Sequence, residues 1–189
     1  MQYYVSLEKC SSYAQNEVDK SVRKLLYNLG GIQQFVKKGQ KVLLKPNVVK
    51  GTKPEECATT HPAVIEAIIK ILQKLNCDVF VGDNPFADDT IKSMKICGIY
   101  DVCKKNDVKI AIFDRKINLK NQNGLVVKEF PLTHYFNEVD VIINIPKLKT
   151  HSQLYFTGAV KNLYSTMPGP RRGFYHLKHS NMEYFANML

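Results

Sequence analysis

The sequence contains no tryptophan, no Cys-x-x-Cys pair and no apolar run near the ~18 residues that a membrane-spanning helix requires. A membrane protein of the helical kind is therefore not expected. Its five cysteines, at positions 10, 57, 77, 97 and 103, are odd in number and irregular in spacing, unlike the disulfide framework of a small secreted domain. The opening MQYYVSLEKC has no basic stretch followed by an apolar one, so no secretory signal is legible and a reducing cytoplasm is the expected compartment. Acidic residues are scarce as well. Asp and Glu number 17 against 27 Lys and Arg, a net charge of +10 that suits an acidic partner. No arginine-rich helix or base-stacking aromatic motif accompanies that charge, so nucleic acid is not the expected partner. Many lysines, as in VKKGQK and CKKNDVK, read simply as solvated faces.

What the chain does have is material for a core. Hydrophobic residues make up 44% of 189 residues, rich in Ile, Val and Leu, which places the chain among folded proteins and fits a single α/β domain over residues 1–189. Four β-branched runs stand out: KVLLK (41–45), DVFVG (78–82), VKIAIF (108–113) and DVIINI (140–145). Their ends recur every thirty-odd residues, the length of a strand, a crossover helix and a loop. Continuous apolar runs suit strands covered on both faces, as in a parallel sheet. The expected fold class is α/β: a mostly parallel sheet of Rossmann-like βα units with helices on both faces.

Between the first two runs, TTHPAVIEAIIKILQKLN predicts a helix with Thr59 or Thr60 as N-cap and Pro62 in its first turn. NEVDKSVRKLLYNLG predicts an earlier one, stopped at Gly30 and Gly31. DDTIKSMKICG and IYDVCKKN predict short helices before the third strand. INLKNQNGLVVKEF, with Asn-Gly between two strand-like arms, predicts a hairpin inserted near 115–130. MPGPRRG reads as a Pro/Gly loop, and NMEYFANML as the beginning of a helix at which the chain stops without a capping signal, which suggests an incomplete domain.

In open parallel sheets ligands bind beyond the carboxyl ends of the strands. Lys45 and Asn47 follow the first run, Asp83 and Asn84 the second, Asp114 and Arg115 the third, and Lys147, Lys149, Thr150 and His151 the fourth. A helix starting at Thr60 and His61 would add backbone N–H donors on that same edge. TGAVKN supplies Thr157, Gly158, Lys161 and Asn162 in a turn similar to a phosphate cradle, though without P-loop spacing. Each residue alone has a plainer reading: Lys45 as a strand's surface end, Asp83 as an Asx-turn, Gly158 and Ala159 as a helix-packing contact. Together they point to an anion-binding edge, with His151 and Lys149 as the candidate catalytic pair, since an imidazole titrates near neutrality. No Ser-His-Asp arrangement or carboxylate pair is legible. HLKH sets His176 and His179 three apart, but no metal site is expected.

VLLKPNVV, TTHPAVIEAIIKIL, VGDNPF, PKLKTH, TGAVKNLYSTMPGPRR and HLKH together resemble the domain-of-unknown-function family 362, from about Gly39 to the end. PKLKTH followed by TGAVKN is the most specific part. The resemblance implies an iron–sulfur association, because many longer members carry a ferredoxin-like segment holding [4Fe–4S] clusters. It also implies that this chain is the amino-terminal part of a longer domain. Partners would then be an anionic small molecule, a ferredoxin-type domain, the missing half of the protein or a second copy of the chain. None of the five cysteines has the C-x2-C-x2-C-x3-C spacing of a cluster ligand set, so this chain is not expected to hold a cluster or to contain a ferredoxin segment. In architecture alone the chain is also similar to the amino-terminal domain of nickel-dependent lactate racemases, which implies a small carboxylate or bulky anionic cofactor. Two readings follow: a redox-linked or enzyme-like domain binding an anionic small molecule, or a non-catalytic fragment or interaction module of a split or truncated protein.

Overall fold

The computed structural model describes residues 3–86, 88–169, 171–178 and 181–189. Four parallel strands form the central sheet: β1 (Lys41–Pro46), β2 (Asp78–Val81), β3 (Lys109–Ile110) and, after an inserted hairpin of β4 (Lys116–Lys120) and β5 (Glu129–Thr133), β6 (Val141–Ile145). Their spatial order is β3-β2-β1-β6. The chain therefore reverses direction across the sheet between β1 and β6, which opens a crevice at their carboxyl ends.

Side chains alternate across the sheet as the two-residue period requires. On one face Val42, Leu44, Val79 and Val81 pack beneath Ile65, Ile69 and Leu72 of α2 (Pro62–Gln73) and Ile99 and Val102 of α4 (Ile99–Lys105). The preceding α1 (Gln15–Asn28) rests on α2, with Val18 against Ala63 and Ala67. On the other face Leu43, Phe80 and Ile142 meet Phe113 together with Tyr135 and Val139, from and beside the one-turn helix α5 (Tyr135–Glu138). The short α3 (Thr90–Ile96) precedes α4.

Local chemistry explains the boundaries. α1 ends at Gly30, whose φ of 85° is left-handed, and Gly31 N–H donates back to Leu26 O at 2.8 Å. α2 has Pro62 at its first position as expected, but its N-cap is His61, whose Nδ1 accepts from Ala63 N–H at 3.2 Å. Neither Thr59 nor Thr60 caps it. The Thr60 hydroxyl is drawn to the strand ends instead, donating to Ile145 O (2.7 Å) and accepting from Asn47 N–H (2.9 Å).

Three other expectations need correction. The apolar run 108–113 yields only a two-residue strand, because its partner β2 ends at Val81, opposite Ile110. β6 is not buried on both faces. It is the edge of the sheet, with Val141 to Asn144 only half-buried and Ile145 alone buried. The inserted hairpin exists, but residues 121–128 join its arms and Asn121, not an Asn-Gly pair turn, closes them: Asn121 N–H donates to Lys128 O and Gly124 N–H to Asn121 O.

Beyond β6 come a small hairpin of β7 (Lys149–His151) and β8 (Tyr155–Thr157), then α6 (Ala159–Leu163), α7 (Arg171–Lys178) and α8 (Met182–Met188). The stretch read as a loop through Gly173 is thus partly helix. α8 is capped at its start, where Asn181 Oδ1 accepts from Glu183 and Tyr184 N–H. Phe185 of α8 is fully buried against Tyr164 and Met167. His179 lies outside the described residues.

Gly82 shows how tightly the β2–β3 edge closes. A Cβ there would lie 2.5 Å from Ala111 O and 2.9 Å from Phe113 Cε1. Gly82→Ala is expected to lower unfolding stability by roughly 1–3 kcal/mol in urea titrations, the cost of overpacking a site whose closest neighbour is backbone. A change within a few tenths would contradict the packing.

Candidate functional site

The crevice is built on a buried ion pair. Lys45, next to last in β1, and Asp83, just beyond β2, are both 0% exposed, and Lys45 Nζ lies 2.6 Å from Asp83 Oδ1. Lys45 completes its three N–H bonds with Pro46 O at 2.9 Å and Asn162 Oδ1 at 3.5 Å. Burial pushes the Lys45 ammonium downward in pKa, and the Asp83 carboxylate opposes that. Asp83 accepts from Val48 N–H (2.6 Å) and Asn84 N–H (2.8 Å), with the Ser165 hydroxyl 2.6 Å away. Asn162 staples the ends of two strands, donating to Lys45 O and Pro46 O of β1 and to Asn144 Oδ1 of β6. These polar groups satisfy one another almost completely, as a buried network must.

Above this network lies a pocket of about 730 Å³. Its walls come from Asn47 to Val49 after β1, Phe86 after β2, the β7–β8 hairpin, and Lys161, Tyr164, Ser165, Arg172 and His176 of α6, α7 and the turn between them. Three basic side chains face it, Lys149, Lys161 and Arg172, and no Asp or Glu lies on its described lining. None of the three takes part in an ion pair among the described residues.

Each basic group is held without a full counter-charge. Lys149 Nζ donates to Asn47 Oδ1 at 2.6 Å and to Ala58 O, both neutral acceptors. Burial lowers its pKa to about 8, with Asp83 raising it and Lys147 lowering it further. Lys161 Nζ stands over the rings of Tyr164 (4.6 Å) and Phe185 (5.3 Å). Burial and then the charges of Arg172 and Lys149 bring it to about 8 as well. Arg172 is only 8% exposed, and its Nε has no hydrogen-bond partner among the described residues. Desolvated cations near one another are unfavourable unless something negative joins them.

Both pocket histidines are neutral at pH 7. His151 Nδ1 accepts from Gln153 and Leu154 N–H, which leaves Nε2 to carry the ring proton. Burial, followed by Lys161 and Lys149, lowers its pKa. His176 lies 2.8 Å through Nδ1 from Gln153 Oε1, and since a carbonyl oxygen only accepts, the proton sits on Nδ1. Burial and the Lys161 charge bring His176 down to about 4.

Of the residues predicted from sequence, Asn47, Lys149, Thr150, His151, Thr157 and Lys161 line the pocket, while Lys45, Asp83 and Asn162 form the network beneath. Thr60 joins strand ends, and Asn84 donates through Nδ2 to Met167 O. Gly158 precedes α6, where an added Cβ would meet only Leu148 at 3.7 Å, so no close backbone approach requires glycine there. Lys147 and His61 are elsewhere: Tyr13 stacks on the His61 ring at 3.8 Å, and Lys147 Nζ lies 3.4 Å from the Tyr13 hydroxyl. Asp114 and Arg115 lie by α5, near His134 and Glu138. Sequence reasoning missed Phe86, Ser165, Arg172 and His176. The basic pair after MPGP was the available signal for Arg172.

The cysteines do not form a cluster ligand set. Cys10 and Cys57 are exposed, whereas Cys77, Cys97 and Cys103 are buried, and burial pushes the Cys103 thiol up to about 12, away from the thiolate a cluster needs. Among the described residues no three His, Cys, Asp or Glu side chains are grouped to hold a metal ion, and no helix is long and apolar enough to cross a membrane.

Fold and pocket together define a parallel α/β domain with a basic crevice at the carboxyl ends of its central strands. The chain belongs to the family described as Domain of unknown function (DUF362), whose model matches residues 42–189. It is 33% identical over 174 residues to the thylakoid-associated protein sll1697 of Synechocystis sp. (strain ATCC 27184 / PCC 6803 / Kazusa), an alignment covering 92% of this chain and 54% of that protein. The chain thus spans about half the length of the curated relative it matches. No solved structure matches it.

Removing one member of the buried pair isolates its role. Lys45→Met should destabilise the protein by about 3–5 kcal/mol by leaving a buried, unpaired carboxylate. The double variant Lys45→Met/Asp83→Leu should recover part of that loss in denaturant titrations. A double variant as unstable as the sum of the two single ones would show that the two side chains do not act as a pair.

Proposed function

We propose that the crevice binds an anionic small molecule, with Lys149, Lys161 and Arg172 supplying charge and His151 contributing a neutral N–H. The observation that carries this reading is three basic side chains around one cavity without a carboxylate on its described lining. Asp83, the acid whose charge acts on Lys149 and Arg172, is engaged by Lys45. A smaller recess of about 460 Å³ by the inserted hairpin has the ordinary arrangement, with Lys116 and Glu129 together on its wall. Lys149 and His151 are the groups available for acid–base work on a bound anion. Five unpaired cysteines support a reducing, cytoplasmic setting. A redox link through a ferredoxin-type partner is carried by the family resemblance.

One observation favours a role in assembly as well. β6 is a sheet edge whose Val141, Ile142 and Ile143 are half-buried, a place where a further part of the protein or a second copy would add.

Ligand linkage tests the anion reading. Phosphate or sulfate should raise the melting temperature more than chloride at equal ionic strength, because a ligand that binds only the folded state stabilises it. Lys161→Ala and Arg172→Ala should each remove most of that difference. The pH dependence has a defined sign. Lys149 and Lys161 titrate near 8 when folded, below their ordinary value of 10.5, so across that window the unfolded chain holds more protons. Without ligand, their contribution to stability rises with pH from about 8 to 10.5. A bound anion favours the ammonium forms, so its stabilisation is full below about pH 8 and fades above it. Melting curves indifferent to anion identity at pH 7 would contradict the proposal.

A further inference from the structure

The pocket is graded from charged to apolar. Its basic groups are buried or half-buried: Arg172, Lys149 and Lys161, near the buried hydroxyls of Thr157 and Ser165. Its rim is exposed and apolar, with Val49 at 40%, Phe86 at 54% and Leu177 at 81%. Within the rim Phe86 N–H donates to Val49 O at 2.8 Å, and the rim meets the basic groups where the Arg172 guanidinium carbon lies 5.9 Å from the Phe86 ring.

Size and charge both constrain the occupant. An inorganic oxyanion would fill a small fraction of 730 Å³, a volume typical of sites for organic ligands. A monocarboxylate would neutralise one of three cations, whereas a phosphoryl group brings nearly two negative charges and several acceptor oxygens. The Nε of Arg172, without a hydrogen-bond partner among the described residues, is a donor suited to such an oxygen.

Resting on the anion-binding reading, we infer that the ligand is an organic phosphate. Its phosphoryl group sits on Lys149, Lys161 and Arg172, and its apolar body lies against Val49, Phe86 and Leu177. The same chemistry is found in a free phosphate monoester and in a lipid bearing a terminal phosphate.

Titration calorimetry of the full chain with inorganic phosphate, hexyl phosphate and hexanoate tests this. Hexyl phosphate should bind about tenfold tighter than inorganic phosphate, as burial of apolar surface on the rim requires. It should also bind tighter than hexanoate. The double variant Phe86→Ala/Leu177→Ala, at exposed positions that the core does not need, should bring the ratio of hexyl phosphate to inorganic phosphate affinity toward one. Cosedimentation with vesicles containing phosphatidic acid, competed by hexyl phosphate, would support a lipid source. Hexyl phosphate binding in calorimetry without vesicle capture would support a free monoester. Equal affinities for inorganic and hexyl phosphate would overturn the inference while leaving the anion pocket standing. Hexanoate binding as tightly as hexyl phosphate would overturn the phosphate assignment. Binding of none of the three would overturn the pocket reading itself.

Discussion

The Lys45–Asp83 pair is the constraint on which the crevice depends. A lysine buried at the end of a central strand is tolerable only with a counter-charge and a filled hydrogen-bond complement, and both are present. Asp83 in turn fixes the loop after β1 through Val48 N–H and the segment after α6 through Ser165. Asn162 draws the ends of β1 and β6 together from the same network. The pair therefore determines where three separate segments meet.

Its electrostatic effect is equally direct. Because Asp83 faces Lys45 at 2.6 Å and accepts further hydrogen bonds, the basic groups above it form no ion pair among the described residues. Burial then lowers the pKa of both Lys149 and Lys161, with Lys147 adding to the effect on Lys149, and Arg172 and Lys149 adding to it on Lys161. An arrangement that leaves cations uncompensated in the free protein is the kind that a bound anion stabilises, at the edge where open α/β sheets hold ligands.

Much of this was legible in the sequence because strand ends are written plainly. Apolar runs located all four parallel strands, and residues just past them, Asn47, Asp83, Lys149 and His151, did converge. The sequence does not distinguish a lysine under the pocket from one in it: Lys45 is buried and paired, and Lys149 is open to the cavity, though both stand at strand ends. Strand alternation would set Lys147 and Lys149, two residues apart, on one face, but Lys147 lies in the connection between β6 and β7 and its side chain goes to Tyr13 beside His61. Thr60 lost the cap to His61 through a tertiary contact with β6 that no local pattern encodes. Arg172 was hidden because Pro and Gly before it read as loop, whereas α7 begins at Arg171.

The central claim, an anion held by Lys149, Lys161 and Arg172 above the buried pair, is tested most directly by anomalous diffraction from crystals grown with tungstate. Tungstate is a tetrahedral dianion whose metal scatters strongly enough to be located without bias. The account predicts a single strong peak in the crevice, within hydrogen-bond reach of all three basic side chains. Peaks only at other lysines, such as Lys147, with none in the crevice, would contradict it.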